Sequence, residues 1–229
     1  MTREIFDRSL KALQDKVLGL GSAVEENLVR AAKALIDADR QLAQQLIDFD
    51  SWVNTQRIEI VLECLTLIAT QQPTGSDMRS LAANIEIAGE LERIHDYVKG
   101  IGKIVLITAV QEIPKPVNEL LPTMAEIASE MLHAAMNAFM AGDVTAARAI
   151  PLRDDEVDDL YKTASHALAV SVTSDISTYE HSNGLQWAFH NLERSADRVI
   201  NICEWIVYKG TGQYVEFDSE YESPVTASD

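Results

Sequence analysis

Leu91-Glu92-Arg93-Ile94-His95-Asp96-Tyr97 and Leu192-Glu193-Arg194-Ser195-Ala196-Asp197-Arg198 are two versions of one string. Each sets a Glu four residues before an Asp: Glu92 with Asp96, and Glu193 with Asp197. Both lie in long amphipathic stretches, and on a helix side chains at i and i+4 are neighbours, roughly 5–6 Å apart at Cβ. Each copy therefore places two carboxylates on one helix face. Such like-charge pairs cost a few tenths of a kcal/mol on an exposed helix. A chain that repeats that cost in matching context asks for a reason.

Outward from these strings the chain repeats itself. Displaced by 104 residues, 27–54 falls on 131–158 without a gap: Leu28 meets Leu132, Asp39 meets Asp143, Asp50 meets Asp154, and Val53 meets Val157. Asn54 then meets Asp158. The 91–101 region aligns with 192–202 at a displacement of 101. The three-residue difference falls between the segments, in a helix–helix turn. A period near 100 residues exceeds that of solenoid repeats, so the repeat marks a duplicated bundle.

The apolar spacing agrees. Phe6, Leu10, Leu13, Val17, Leu20, Val24, Leu28, Ala31 and Leu35 recur at steps of three or four, the seam of a bundle helix. It predicts a helix over 3–38, capped by Thr2, with Gly19 and Gly21 kept for close approach of a neighbouring helix. Asp39 caps a second helix reaching 70, whose seam breaks at Gln56 and Arg57. Residues 71–76 are a turn by composition. A third helix runs over 77–112, and Pro114 and Pro116 stop it. Helices over 117–141, from Asp143 to 172 with a kink or break at Pro151, and over 184–209 complete the second half. Residues 175–183 are expected to form a turn. The prediction is all-α: two tandem three-helix bundles with up-down helices and no β-sheet, over 1–113 and 117–210. Residues 211–229 carry five acidic residues, no Lys or Arg and no periodicity, and are expected to be a disordered tail.

Composition narrows the function classes. Thirty-six acidic residues against 19 basic ones leave a net charge of −17, which repels nucleic-acid phosphates and anionic lipids. No nucleic-acid partner and no direct membrane insertion are expected. No apolar run has the length of a signal peptide core or a membrane span. Cys64 and Cys203 occupy apolar-periodic positions, as a reduced, buried pair would, and a cytoplasmic location is the expectation. No nucleophile–base arrangement, glycine-rich phosphate loop or Cys/His metal spacing stands out, so no enzyme is expected. The scattered basic residues argue against direct phosphate binding.

Gln72-Pro73-Thr74-Gly75-Ser76-Asp77-Met78-Arg79, followed by the 91–96 string, resembles the PhoU family of phosphate-transport regulators. So does Asp154-Asp155-Glu156-Val157-Asp158-Asp159-Leu160-Tyr161 with Leu192-Glu193-Arg194. The resemblance spans residues 1 to about 210. It implies a negative regulator of the phosphate-starvation response, acting between a phosphate ABC transporter ATPase and a membrane sensor kinase, with a homodimer as a further assembly. It also implies metal ions bound through paired acidic motifs, multinuclear iron among them, with Mn, Mg, Ca or Zn as alternatives. By position the ligands are Asp50, Asn54, Glu92 and Asp96 in the first half and Asp154, Asp158, Glu193 and Asp197 in the second.

The residue types fit that chemistry, since facing carboxylates on two helices offer oxygen ligands to hard or borderline cations. Asn54 in place of a carboxylate, and His95 where a small residue is usual, predict a weaker first site. A solvated acidic face balanced by Arg93, Arg194 and Lys99 is the competing reading. The alternative function is a ferritin-like di-iron carboxylate protein, from the Glu-x-x-His strings Glu92–His95 and Glu130–His133. The repeat supplies no partner for either histidine, so a surface or core-edge role is expected for both.

Overall fold

The computed structural model describes residues 3–107 and 113–217, and among them every regular element is helical. α1 spans Arg3–Ile36, α2 Arg40–Gln71 and α3 Gly75–Ile107; α4 spans Lys115–Ala141, α5 Val144–Ala149, α6 Asp154–Ser174 and α7 Tyr179–Thr211. The Thr2 cap, residues 108–112 and the tail from 218 lie outside the described residues.

The duplication shows in the caps. Asp39 accepts a hydrogen bond from the Leu42 N–H, and its equivalent Asp143 accepts one from Ala146, each at 2.9 Å. An aspartate in that position satisfies an amide the helix start would leave orphaned. Gly142, with φ of 67°, ends α4 in the left-handed region where only glycine escapes a Cβ penalty. Pro151 breaks the fifth predicted helix into α5, a 3-10 turn over Ile150–Arg153, and α6.

Helix ends shift by one or two residues in several places, and three departures from the sequence reading have a clear physical reason. α4 begins at Lys115, because Pro116 falls in the first turn, where its missing N–H would be unpaired anyway. Residues 179–183 are helical: Asp175 accepts from the Ser177 N–H at 2.9 Å, and a short 3-10 turn leads directly into α7. The polar run Ser182-Asn183-Gly184 resembles a turn but lies in the second helical turn. Part of the expected tail is also ordered. The Tyr214 hydroxyl and the Phe217 N–H both donate to the Glu204 carboxylate, at 3.0 and 2.9 Å, and Val215 and Phe217 pack on the core.

Between the halves, α1 pairs with α4 and α3 with α7. Both pairs are antiparallel. Gly21 lies against Met136 while Glu25 meets His133, and Gly100 lies against Asn191 while Glu90 meets Asn201. A Cβ on Gly21 would stand 2.9 Å from Met136 Cε, so this glycine permits the close approach expected of it, whereas Gly19 faces open space. The buried side chains of α1, α3, α4 and α7 form one contiguous apolar core through both halves. α2 and α6 flank it on the outside. Each packs chiefly on the third helix of its own half, and those two seams hold the acidic strings.

Candidate functional site

In the first half, α2 carries Asp50 and Asn54 and α3 carries Glu92 and Asp96. Asp50 is buried because it occupies a seam position, between Leu46 and Val53. One turn on, the seam has Arg57, with its Nε buried. The break in the apolar pattern of α2 is thus the place where the helix pair turns polar. Arg57 lies close enough to Glu92 to oppose the effect of burial, which raises the Glu92 carboxyl above its usual range with help from Asp96 and Asp50.

A lysine sits among these acids. Lys99 Nζ donates to Asp50 Oδ2 at 2.6 Å and lies 3.6 Å from Asp96 Oδ1. The Asn54 amide donates to the same Asp50 oxygen at 3.1 Å and to the Asp50 carbonyl at 3.0 Å. On the other side, His95 Nδ1 stands 3.5 Å from Asp50 Oδ1. His95 is fully buried, against the expectation of a surface or core-edge histidine. Its Nε2 faces the Asn27 amide nitrogen at 3.3 Å, and Arg30 donates to the Asn27 oxygen at 2.9 Å. That arrangement makes Nε2 the acceptor and leaves the ring proton on Nδ1, toward Asp50. Burial holds His95 below its usual pKa, with Asp50 pulling the other way.

In the second half, α6 carries Asp154 and Asp158 and α7 carries Glu193 and Asp197. All four are half-buried. The equivalents of the two first-half cations are gone: Ile200 stands where Lys99 does, buried in the core, and Tyr161 stands where Arg57 does. The remaining countercharges come from the helices' own surfaces. Arg194 reaches Asp197 at 2.9 Å, Lys162 approaches Asp158 at 3.6 Å, and His190 Nδ1 lies 3.3 Å from Glu193 Oε2. That oxygen is buried and has no hydrogen bond among the described residues. Burial, then Asp197, push the Glu193 carboxyl up to about 7, with Asp158 across the helix pair adding to the rise.

The structure thus brings each sequence-predicted set onto facing helices, with Asp50 within electrostatic reach of Glu92 and Asp158 of Glu193. It does not close them: among the described residues no three His, Cys, Asp or Glu side chains converge as metal ligands would. In the second half Asp158, Glu193 and Asp197 meet partly exposed side chains, in pairs worth about 0–1 kcal/mol each, so a cation could recruit them by rotamer changes. That set fits a metal ion. The first set does not, because its most buried carboxylate is committed through Oδ2 to Lys99 and Asn54, with its other oxygen facing the buried His95.

Of the three cations expected to balance an acidic face, Lys99 and Arg194 do so. Arg93 turns to Glu90, a buried carboxylate at the α3–α7 interface that also meets Arg198. Lys99 belongs to the face of Glu92 and Asp96 by its spacing, seven and three residues on. The repeat alignment shows its replacement by Ile200. Both signals were present in the sequence. The other Glu-x-x-His string comes apart: Glu130 pairs with Arg153, and His133 with Glu25 on α1, at 3.0 and 3.2 Å.

The description "PhoU domain" matches this chain twice, over residues 17–105 and 121–206, one copy per half. The chain belongs to the PhoU family. It is 33% identical over 220 residues to the phosphate-specific transport system accessory protein PhoU homolog of Streptococcus pneumoniae serotype 4, covering 94% of this chain and all of that one. The homolog of the same name from Rhizobium meliloti is 30% identical, over 90% of this chain and 87% of its own. The crystal structure of the phosphate transport system regulatory protein PhoU from S. pneumoniae superposes with a TM-score of 0.83 at 30% identity, covering 92% of this chain and 99% of that one. PhoU from Pseudomonas aeruginosa gives the same score at 28% identity, covering 91% of this chain and all of that one. Among the described residues no helix of this chain is long and apolar enough to cross a membrane.

Proposed function

We propose that this protein is an accessory regulator of a phosphate transport system. It acts without catalysis, as an adaptor between the transporter ATPase and a membrane sensor kinase, and restrains the phosphate-starvation response when phosphate is plentiful. The observation that carries this reading is the end-to-end likeness to the S. pneumoniae protein, in sequence and in fold, with both domain copies present and in order. A strain lacking the gene should express its phosphate-starvation genes in high phosphate. Normal repression in such a strain, in a genome without a second family member, would overturn the proposal. Retention of the transporter ATPase or the kinase on the tagged protein tests the adaptor role separately.

The reading includes a metal centre in the second quartet. Asp154, Asp158, Glu193 and Asp197 would hold the ion, four carboxylates from two helices whose crowding supports the assignment. A bound cation would supply positive charge where Ile200 and Tyr161 replace Lys99 and Arg57, and it would link α6 to α7. The carboxylate set suits iron or manganese, with magnesium, calcium and zinc as competitors. Elemental analysis after purification without chelator or nickel resin tests it, with the Glu193→Ala/Asp197→Ala form as control.

A further inference from the structure

The first quartet already contains a cation. Lys99 leaves α3 one turn beyond Asp96 and places its ammonium 2.6 Å from Asp50 Oδ2 and 3.6 Å from Asp96 Oδ1. Asp50 is the most buried of the four quartet side chains here, and its second oxygen faces the buried His95. Arg57 lies across from Glu92, its Nε buried and without a hydrogen bond among the described residues. Three carboxylates, Asp50, Glu92 and Asp96, thus meet two cations from within the chain. In the second half the same two positions are Ile200 and Tyr161, neither of which carries positive charge.

We infer that Lys99 is a tethered cation standing in place of a metal ion, so that the first half of this chain takes no metal while Lys99 is present and gains a site when it is removed. The physical case has two parts. A metal ion entering this seam would have to displace an ammonium from a buried carboxylate or share the seam with it, and like charges a few ångströms apart in a partly desolvated site repel strongly. The ammonium is also covalently delivered, so it competes as an intramolecular ligand at an effective concentration far above that of a free ion. With Lys99 gone, Asp50, Glu92 and Asp96 become a three-carboxylate set. The Asn54 amide, rotated about its last bond, adds a neutral oxygen, and such a set suits a hard divalent cation.

The test is made in the full chain carrying Glu193→Ala/Asp197→Ala, which disables the second quartet, with Mn2+ as the probe. With Lys99 present this background should bind no Mn2+ by calorimetry and equilibrium dialysis. Adding Lys99→Ala should raise the stoichiometry to about one Mn2+ per chain, and adding Asp50→Asn as well should abolish the gain. Lys99→Ala should also lower the Tm of the metal-free protein, with Mn2+ restoring it. Lys99→Met, which keeps length and removes charge, should gain Mn2+ in the same way, and it is the deciding variant should the alanine form not fold. A folded Lys99→Met form that binds no Mn2+ would overturn the inference. So would Asp50-dependent Mn2+ binding in the background that retains Lys99. The inference uses the metal reading of the second quartet only as a contrast: a parent protein that binds no metal defeats that reading and leaves this experiment intact.

Discussion

The two acidic seams share their helix order, their aspartate caps and three of their four carboxylate positions, with Asn54 in place of Asp158, yet their charge balance differs. In the first, Lys99 and Arg57 stand among Asp50, Glu92 and Asp96. In the second, isoleucine and tyrosine occupy those places, and Asp158, Glu193 and Asp197 each meet a surface group of their own helix. Duplication preserved where the acids stand but not what neutralises them. One lysine is enough to separate the two, because an ammonium 2.6 Å from a buried carboxylate satisfies most of the demand that a metal ion would otherwise meet.

The largest effect that bears on this contrast concerns metal content. Glu193→Ala/Asp197→Ala should lose essentially all bound metal, while Asp50→Asn/Glu92→Gln should keep it, as read by elemental analysis of protein purified without chelator. Equal losses in both would erase the distinction between the halves. Next comes the reciprocal exchange. Ile200→Lys should bring an ammonium to the second quartet. Unit charges 4 Å apart at an effective dielectric of 20 interact by about 4 kcal/mol, so Kd for metal should weaken on the order of a thousandfold. Unchanged affinity in a folded Ile200→Lys protein would mean that position, not charge, separates the two seams.

A third comparison sets the seams aside and asks whether the halves are energetically alike. Leu91 and Leu192 are equivalent and fully buried. Truncating either to alanine should cost about 2–5 kcal/mol, and both should shift one cooperative urea transition, since the core is continuous. Separate transitions, with each variant moving only its own, would show that the halves fold independently.

The smallest effect is the pH dependence of the chelated protein. The Glu193 carboxyl is raised from 4.5 to about 7, so the folded state binds more protons than the unfolded one in that window. Stability from this group is fully present below the unfolded value and is lost as pH rises through about 7. Glu193→Gln should flatten the fall in Tm between these limits more than Glu92→Gln does, because two arginines, Arg57 and Arg93, oppose the rise at Glu92 and one, Arg194, opposes it at Glu193. An equal effect at the two positions would count against the charge asymmetry.

Much of this was legible in the sequence. The three-or-four spacing marked the helices, and the aspartates and prolines at their ends set the boundaries, because caps and breakers act within one turn of the chain. Where such signals conflicted, the reading slipped. Ser182-Asn183-Gly184 has turn composition, yet α7 begins before it, since the Asp175 turn and tertiary packing outweigh weak local preference. The stretch 213–217 looked like tail, but Glu204 on α7, an acid with nothing local to mark it, holds it down.

The sequence by itself determined that this chain is a duplicated helical bundle of the PhoU family and which eight side chains make up its acidic quartets. Periodicity and internal repetition are properties of the chain alone. Only the tertiary structure decided that the halves share one core, that His95 is buried against Asp50 and Asn27, and that Lys99 lies inside the first quartet. Those outcomes depend on which faces of helices distant in sequence meet. The net worth of a charge is then set by the solvent and partners that this meeting leaves it.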